Sequence, residues 1–324
     1  MTRINEADCV IRAQGLTKTY GAMNAVDSLD MNVCRGDIYG FVGRNGAGKS
    51  TTMKMVCGLI SPTSGQLDVL GHDPAANNGP TGVGAIIEAP GLLDRMSAMD
   101  NLMYKATALG VDNAEAHCKE LLEVVNLANT GSKQTRNFSL GMKQRMGIAL
   151  AMVGNPEVLL LDEPFNGLDP AATHEMRQTL QRLNREKGIT IVVSTHVLDQ
   201  LNRFATRFGV ISAGKMVVEF EASRMAEMAA GVIRVRTTDM ARAQEVLAAL
   251  PGAQVSVADD GALQVAGKSA ALEDVSLALY QANLQVLELV QTKRDVEEFF
   301  LELMNSTDKG QAGAAGAAAA EGGR

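Results

Sequence analysis

The strongest chemical signal in the sequence is the octapeptide GRNGAGKS at residues 43–50. Its G-x-x-x-x-G-K-S spacing is that of a P-loop, in which glycines let successive backbone N–H groups point inward at phosphate oxygens. Lys49 would add a positive charge at the β- and γ-phosphates, and the Ser50 hydroxyl would hold Mg²⁺. The predicted nucleotide contacts of this stretch are Gly43, Asn45, Gly46, Gly48, Lys49, Ser50 and Thr51. A Gly-rich turn without function is the alternative, and the strand-like run before the loop argues against it.

Two adjacent carboxylates end the apolar run VLLLDE at residues 158–163. Asp162, at the tip of the predicted strand, would hold Mg²⁺ through water, as in other P-loop enzymes. Glu163 would orient and deprotonate the attacking water as a general base. A solvated turn with two acids is the alternative, and the P-loop upstream favours the catalytic interpretation.

Two further side chains, His196 and Tyr20, stand at predicted strand ends. His196 follows the apolar run IVVST and is predicted to hydrogen-bond the γ-phosphate, because ligands gather at the carboxyl edge of an α/β sheet. A packing or surface histidine is the alternative. Tyr20, in LTKTYG, is predicted to stack on a nucleobase, although a tyrosine at a strand end is also ordinary.

Such residues need an α/β scaffold, and residues 8–220 alternate short β-like runs with helical patterns. Buried strands are predicted at 37–42, 157–162 and 190–193, with a helix beginning at Lys49. Residues from about 90 to 150 are predicted to be a helical insertion. Within it, Ser97 to Asp100 has the form of a capping box with Asp in place of Glu.

A second, smaller unit is predicted to begin near residue 231. Its pattern has the order βαββαβ, which is typical of a ferredoxin-like α+β sandwich, and an Asp-Gly turn marks its central hairpin. The predicted strands and helices are 232–236, 240–250, the hairpin 254–265, 270–282, 284–290 and a last helix from about Asp295. The Ala/Gly-rich tail, residues 305–324, is predicted to be disordered.

Composition bounds the class of protein. The chain has 324 residues, of which 46 % are hydrophobic and 21 % charged, as in a soluble globular protein. The net charge of -7 argues against a nucleic-acid partner, which would need concentrated positive charge. The N-terminus has no apolar signal region, and no apolar run approaches the ~20 residues of a membrane span. We therefore expect that the chain does not cross a membrane by itself.

The cysteines lie far apart in the sequence, without a C-x-x-C motif. They are Cys9, Cys34, Cys57 and Cys118. This spacing favours small apolar packing in a reducing compartment over disulfides or zinc.

Together the motifs resemble the ATP-binding cassette (ABC) ATPases from residue 8 to about 220. Tyr20 matches the A-loop aromatic, GRNGAGKST matches Walker A and LLLDEP matches Walker B. NGLDP (166–170) and STH (194–196) match the D-loop and H-loop. The resemblance implies a P-loop NTPase cassette with a RecA-like mixed sheet, an antiparallel β part and a helical subdomain. It also implies ATP and Mg²⁺ as ligands and ATP hydrolysis as the activity.

FSLGM, residues 138–142, occupies the place of the family's LSGGQ signature. The resemblance implies that Ser139, Gly141 and the helix that starts there face a γ-phosphate held by the opposite subunit. It implies a nucleotide contact for Asp169 of the D-loop as well. Leu140 and Met142 depart from the signature, but Ser139 and Gly141 are kept, so we expect activity to survive.

Glu88 stands where the family's Q-loop usually carries Gln. A carboxylate there can also reach Mg²⁺ or the lytic water, and a surface Glu outside the site is the alternative. This loop, with SLGMKQR, resembles the bacitracin-resistance and lantibiotic-immunity branch of ABC exporters. That branch implies a separate transmembrane permease subunit, a place on the cytoplasmic face of the membrane, and an antimicrobial peptide or drug as cargo. One set of motifs in one chain requires two copies, or one copy and a homologous cassette. Because all the catalytic residues are intact, a homodimer is the simpler expectation.

Two other functions have to be weighed. One is a soluble ABC ATPase acting on nucleic acid or the ribosome; such proteins usually carry two cassettes or long coiled coils, which are not visible here. The other is a regulatory ATP-binding module, against which the intact Glu163 and His196 argue. The favoured organisation is an ABC ATPase domain at 8–225, an accessory domain at 231–304 and the tail.

Overall fold

The computed structural model describes residues 8–76, 80–225, 232–258, 260–267 and 271–292. Packing within these residues separates a unit that ends at Glu221 from a unit that begins at Ala222. Each unit has its own hydrophobic core. The predicted last helix from Asp295 and the tail 305–324 lie outside the described residues.

Strands of the first unit alternate with helices, as the pattern predicts. The strands are β1 Cys9–Tyr20, β2 Met23–Cys34, β3 Ile38–Val42, β4 Ser64–Val69, β5 Val83–Ile86, β6 Val158–Asp162, β7 Thr190–Thr195, β8 Arg207–Ser212 and β9 Lys215–Glu221. The helices are α1 Lys49–Val56, α2 Ala98–Leu109, α3 Ala114–Val124, α4 Leu140–Met152 and α5 Pro170–Lys187. The three predicted buried strands are confirmed as β3, β6 and β7.

Two sheets form this unit. The larger has the order β5-β6-β7-β3-β8-β9, in which β9 runs antiparallel to β8 and the other pairs are parallel. β3 and β7 are buried along their whole length, which explains why they read as unbroken apolar runs. The smaller sheet is antiparallel, in the order β2-β1-β4. This is the mixed sheet with an antiparallel part that the sequence predicts.

The segment between β5 and β6 is helical and holds α2, α3 and α4. α2 begins at a capping box: the Ser97 hydroxyl accepts from the Asp100 N–H at 3.1 Å, and the Asp100 carboxylate accepts from the Ser97 N–H at 3.2 Å. The predicted Asp variant of the capping box is therefore confirmed. The two reciprocal bonds satisfy N–H groups that the start of a helix would otherwise leave without partners.

The second unit is a four-stranded antiparallel sheet with two helices. Its elements are β10 Val232–Thr237, α6 Met240–Ala248, β11 Gln254–Val257, β12 Leu263–Ala266, α7 Leu272–Gln281 and β13 Val286–Thr292. The strand order is β11-β12-β10-β13. Alternating residues such as Ile233 and Val235 are fully buried under the helices. The βαββαβ order and the hairpin around the Asp-Gly turn are confirmed.

All four cysteines are free, as the sequence predicts. Cys57 and Cys118 fit the predicted apolar packing, since Cys118 is buried and Cys57 packs against the core. Cys9 and Cys34, far apart in sequence, lie directly opposite each other on β1 and β2. Among the described residues, no helix combines the length and the apolar character needed to span a bilayer.

Candidate nucleotide-binding and hydrolysis site

The predicted catalytic side chains meet because parallel strands end at one edge of the large sheet. In register, Val42 of β3 lies beside Thr195 of β7, and Asp162 of β6 lies beside Ser194. The residues that follow these strand ends are therefore level with one another. They are the P-loop after β3, Glu163 after β6 and His196 after β7, at the edge where α/β proteins bind ligands.

At two positions of the P-loop, Gly43 and Gly48, the surroundings leave no room for a Cβ atom, so only glycine fits. Gly48 has a φ of 110°, and a Cβ there would lie 2.6 Å from the carbonyl oxygen of Ala25. A Cβ on Gly43 would lie 2.5 Å from the carbonyl oxygen of Ile211. The loop is thus packed against its surroundings on both sides, and its path into the first turn of α1 is set by the fold. Such a turn aims N–H groups at a phosphate.

Lys49 is the first residue of α1 and is only 5 % exposed. Its ammonium group donates to the carbonyl oxygens of Gly43 at 2.7 Å and Arg44 at 3.1 Å. It also lies 3.3 Å from Oε1 of Glu163. This buried cation is held by two carbonyl groups of the P-loop and by a carboxylate, and an anionic ligand bound at the loop could replace those partners.

Glu163 is held in a strained backbone conformation. Its φ is 50°, which is uncommon for a residue with a side chain and typical of functional sites. Its N–H donates to the carbonyl oxygen of Ser194 at 3.2 Å and to the Ser194 hydroxyl at 2.9 Å. Nδ1 of His196 lies 2.9 Å from Oε2 of Glu163. The carboxylate is therefore fixed between Lys49 and His196, and the predicted catalytic residues form one cluster.

Ser194 links the two acids. Its hydroxyl donates to Oδ1 of Asp162 and accepts from the N–H of Glu163. The side chain is fully buried, so both bonds are shielded from water. Sequence reasoning named Ser194 only as a letter of the STH motif and gave it no role. The signal that could have found it is a short hydroxyl side chain at the carboxyl end of a strand that is buried along its whole length.

The P-loop forms one wall of a cavity of about 800 Å³. Its lining includes Tyr20, Asn45, Gly46, Ser50, Thr51 and Glu163. Tyr20 lies at the turn between β1 and β2, is 49 % exposed, and has the Lys18 ammonium 5.3 Å from its ring centre. The structure thus brings Tyr20 to the same cavity as the P-loop, with an open ring face available for stacking.

Glu88 lies two residues beyond β5, at the same sheet edge, with a φ of 68° and 69 % of its side chain exposed. Its carboxylate accepts from the Lys54 ammonium of α1 at 2.5 Å. This hydrogen bond lowers the pKa of Glu88 and raises the pKa of Lys54. Tyr20 and Asp162 also raise the pKa of Lys54. Neither Lys54 nor Glu88 is among the residues that line the P-loop cavity. Sequence reasoning missed Lys54, since nothing local connects it to Glu88.

Ser139 and Asp169 begin two neighbouring helices. The Ser139 hydroxyl accepts from the Met142 N–H at 3.3 Å at the start of α4, and the Asp169 carboxylate accepts from the Ala172 N–H at 2.7 Å at the start of α5. A Cβ on Gly141 would lie 2.9 Å from Cβ of Ala172, so Gly141 lets the helices approach closely. No contact described for Ser139, Gly141 or Asp169 involves the P-loop; Ser139 and Asp169 are exposed, whereas Gly141 is buried against Ala172.

Arg145 of α4 connects the helices that carry Ser139 and Asp169. It is 9 % exposed; its guanidinium donates to the carbonyl oxygen of Val125 at 3.2 Å and lies 3.0 Å from Oε2 of Glu175 on α5. The side chain thereby ties α4 to the end of α3 and to α5. We call the exposed starts of α4 and α5, with Ser139 and Asp169, the helix-start face.

The residues at the site are chemically suited to ATP and Mg²⁺. The glycine cradle that a Cβ would obstruct and the buried Lys49 fit a polyphosphate. Within the described residues no group of three or more His, Cys, Asp or Glu side chains is placed to hold a metal by itself. A single carboxylate and a hydroxyl, as Asp162 and Ser50 offer, fit Mg²⁺, which keeps waters and substrate oxygens as its other ligands.

Comparisons with known proteins agree with this geometry. Residues 26–166 match the family model described as ABC transporter. The bacitracin transport ATP-binding protein BcrA of Bacillus licheniformis is 35 % identical over 91 % of this chain and 97 % of its own length. The lantibiotic transport ATP-binding protein SrtF of Streptococcus pyogenes is 40 % identical over 65 % of this chain and 91 % of its own length.

A solved structure of an ATP-binding subunit of an ABC transporter superposes with a TM-score of 0.60 at 30 % identity. It covers 67 % of this chain and 92 % of its own. The match to BcrA leaves only about a tenth of this chain outside it, so most of the unit that begins at Ala222 is shared with that relative.

Proposed function

This chain belongs to the ABC transporter family of ATP-binding subunits, and from that premise we propose that it is the ATP-hydrolysing motor of an exporter. The observation that carries the proposal is the cluster of Lys49, Glu163 and His196 beside the P-loop cavity. The two copies of such a motor would close on two ATP molecules and drive a separate membrane subunit.

Binding of ATP follows from the P-loop. Backbone N–H groups between Gly43 and Thr51 receive the phosphates, and Lys49 exchanges its carbonyl partners for the β- and γ-phosphates. Tyr20 stacks on the base at the other end of the cavity. Ser50 and Asp162 would hold Mg²⁺, which neutralises phosphate charge when bound.

Hydrolysis needs a base at the γ-phosphate, and Glu163 is the candidate. A water molecule attacks the γ-phosphorus, its proton passes to the Glu163 carboxylate, and the bond to the ADP oxygen breaks. His196, bonded to Oε2, orients that carboxylate and lies beside the transferred phosphoryl group. The strained backbone of Glu163 and its bonds to Ser194 preorganise the base before substrate arrives.

The helix-start face is proposed to complete the site of a second copy. Ser139 and Asp169 are exposed at helix N-termini, where a hydroxyl, free N–H groups and the helix dipole favour an anion. Their bonds within one chain go to their own helices and not to the P-loop. A homodimer would bring each face against the γ-phosphate of the other copy.

A groove of about 370 Å³ beside Glu88 is proposed to receive the membrane subunit. The loop after β5 and helices α2 and α4 form it, with Pro90, Leu93 and Tyr104 in its lining. Leu93 and Tyr104 are exposed apolar side chains, and Gly147 of α4 touches Pro90 so closely that a Cβ would lie 2.5 Å away. A partner seated here would press on the loop that carries Glu88, at the cytoplasmic face of the membrane.

The cargo proposed is a peptide antibiotic, because BcrA and SrtF are named for bacitracin and lantibiotic transport. A lipophilic drug is the second candidate for the exported cargo. A role on nucleic acid or the ribosome is not favoured, since the relatives are transport subunits and the net charge is -7. We further propose residues 8–225 as the ATPase domain and 231–304 as an accessory domain.

The test is the size of the Glu163→Gln variant in solution, with and without saturating Mg-ATP, measured by scattering-coupled chromatography. Slow turnover in this variant traps the ATP-bound state. A dimer that forms only with ATP supports a homodimeric motor. A monomer at saturating ATP, with nucleotide binding verified, contradicts it and assigns the second half-site to another chain.

A further inference from the structure

Two thiols of this chain stand face to face across the antiparallel pair β1 and β2. Cys9 is the first residue of β1, Cys34 is the last residue of β2, and the two are register partners. The Cys9 thiol contributes to the raised pKa of Cys34, so the two sulfur atoms are neighbours, and both residues are half-buried, within reach of a small reagent.

The backbone pattern at this pair is the one that suits a disulfide. The Arg35 N–H donates to the carbonyl oxygen of Asp8 at 2.8 Å, one residue beyond the pair on each strand. This is the bond that flanks a non-hydrogen-bonded pair, whose Cα atoms are closest, at about 4.5 Å. Cystines span Cα separations from roughly 4.4 to 6.8 Å, a range that includes this typical spacing. The pairing of β1 with β2 shifts register between Cys9 and Ile11, immediately after the pair.

We propose that Cys9 and Cys34 are a reversible disulfide site that staples the open end of the β1–β2 hairpin under oxidising conditions. The oxidant is a low-molecular-weight disulfide. One cysteine sulfur attacks it, forms a mixed disulfide and releases one small thiol. The second cysteine then attacks the mixed disulfide and releases the second small thiol, so two protein thiols are oxidised as one small disulfide is reduced.

The environment sets the order of these steps. Burial, above all, raises the pKa of the Cys34 thiol to about 11, so Cys34 stays protonated near neutral pH. Because the thiolate is the nucleophile, this protonation disfavours Cys34 as the cysteine that attacks first. The other two cysteines have no such partner in register among the described strands, and Cys118 is buried.

The staple would act on a functional element. The ring closed by the bond contains the whole hairpin, including Tyr20 at its turn and Ala25, whose carbonyl touches the Gly48 backbone. Cross-linking a long loop mainly restricts the unfolded chain, so it stabilises the fold rather than reshaping the cavity. This inference is independent of the proposed exporter role, since it concerns strand pairing alone.

The full-length protein would be incubated with glutathione disulfide, alkylated and digested. Mass spectrometry would then be used to search for a disulfide-linked pair of peptides, one containing residue 9 and the other containing residue 34. We expect the linked peptides in the wild type and in the double variant Cys57→Ser/Cys118→Ser. They should be absent from the single variants Cys9→Ser and Cys34→Ser. The thermal midpoint should rise by about 5 °C on oxidation and return with dithiothreitol.

Matched reduced samples of the variants show that each is folded before oxidation. Glutathione adducts on Cys9 or Cys34 without the cross-link, or no oxidation of either residue, would overturn the proposal. A cross-link that leaves the midpoint unchanged or lowers it would overturn the stapling role.

Discussion

The P-loop cavity and the helix-start face are both proposed to contact phosphate, yet the chain holds their side chains very differently. At the cavity, Lys49 is buried and Glu163 is fixed on both sides by Lys49 and His196. At the face, Ser139 and Asp169 are exposed and each bonds only to an amide of its own helix among the contacts described. The polar side chains of the cavity have partners from several distant segments of the chain, while, within the described residues, those of the face bond only within their own helices.

This difference has a physical cause. The cavity is built from strand ends whose positions are locked by sheet hydrogen bonds, so side chains from distant parts of the chain are held next to one another there. The face is built from the first turns of two helices, which always leave N–H groups without helical partners. Arg145 and the close contact of Gly141 with Ala172 join the two helices that carry the face.

The largest expected effect comes from removing the base in the cavity. Glu163→Gln should lower the ATPase rate by about 10² to 10⁴-fold, because it removes the proton acceptor and keeps the shape. ATP affinity, measured by equilibrium binding, should stay within a few-fold. Glu157→Gln is the matched control, since Glu157 pairs with Arg35 on the surface and should leave the rate unchanged. A rate of Glu163→Gln near that of the wild type would remove Glu163 from the chemistry.

The next largest effect is expected from a substitution in the helix-start face, and it tests whether Ser139 contacts phosphate. Ser139→Ala and Ser97→Ala both remove a helix cap, at a cost of about 1 kcal/mol each. If Ser139 also contacts phosphate, its loss should slow hydrolysis about 10-fold or more, since bonds to charged groups contribute about 1.5–3 kcal/mol. Ser97→Ala should keep the wild-type rate. Equal rates in the two variants would assign Ser139 a capping role alone.

Mixing variants sharpens this test. Lys49→Ala damages the cavity and Ser139→Ala damages the face, so a mixed dimer holds one fully intact site and one doubly damaged site. Mixing the two low-activity proteins should therefore restore ATPase activity above the sum of the separate samples. An additive result would mean that the face and the cavity of different copies do not form a common site.

A smaller effect is expected at Glu88. Glu88→Ala should lower the ATPase stimulation by the membrane subunit several-fold and leave ATP binding intact, because Glu88 joins the loop beside the apolar groove to α1 through Lys54. Lys54→Met should do the same if the pair acts as a unit. Glu115→Ala breaks a comparable exposed pair with Lys119 and serves as control. Wild-type stimulation of Glu88→Ala would contradict the role.

The smallest effect is expected from shortening the chain. Removal of all residues after 225 should leave ATP affinity within about 2-fold, because the two units have separate cores and the cavity lies in the first. Nucleotide titration of the folded truncation measures this. Weak binding by a well-folded truncation would show that the second unit supports the site.

Local chemistry alone predicted a large part of this molecule. Residues 43–50 predicted the P-loop from glycine spacing, Ser97 with Asp100 predicted a helix start, and the Asp-Gly turn predicted a hairpin. Each of these depends on residues a few positions apart, whose backbone preferences and hydrogen bonds are decided within one turn. The roles predicted for Tyr20, Glu88, Ser139 and Asp169 stay predictions, since their test requires nucleotide and a second chain.

Tertiary structure alone decided which of these pieces meet. The strand order β5-β6-β7-β3 brings Glu163, His196 and Lys49 together, although they are far apart in the chain. The same long-range pairing placed Ser194 between the acids and set Cys9 against Cys34. Sequence patterns with periods of two or 3.6 residues determine which face of an element is buried. These patterns carry no information on which distant element packs against the buried face. The site exists because particular distant strands pair, and only the tertiary structure shows that pairing.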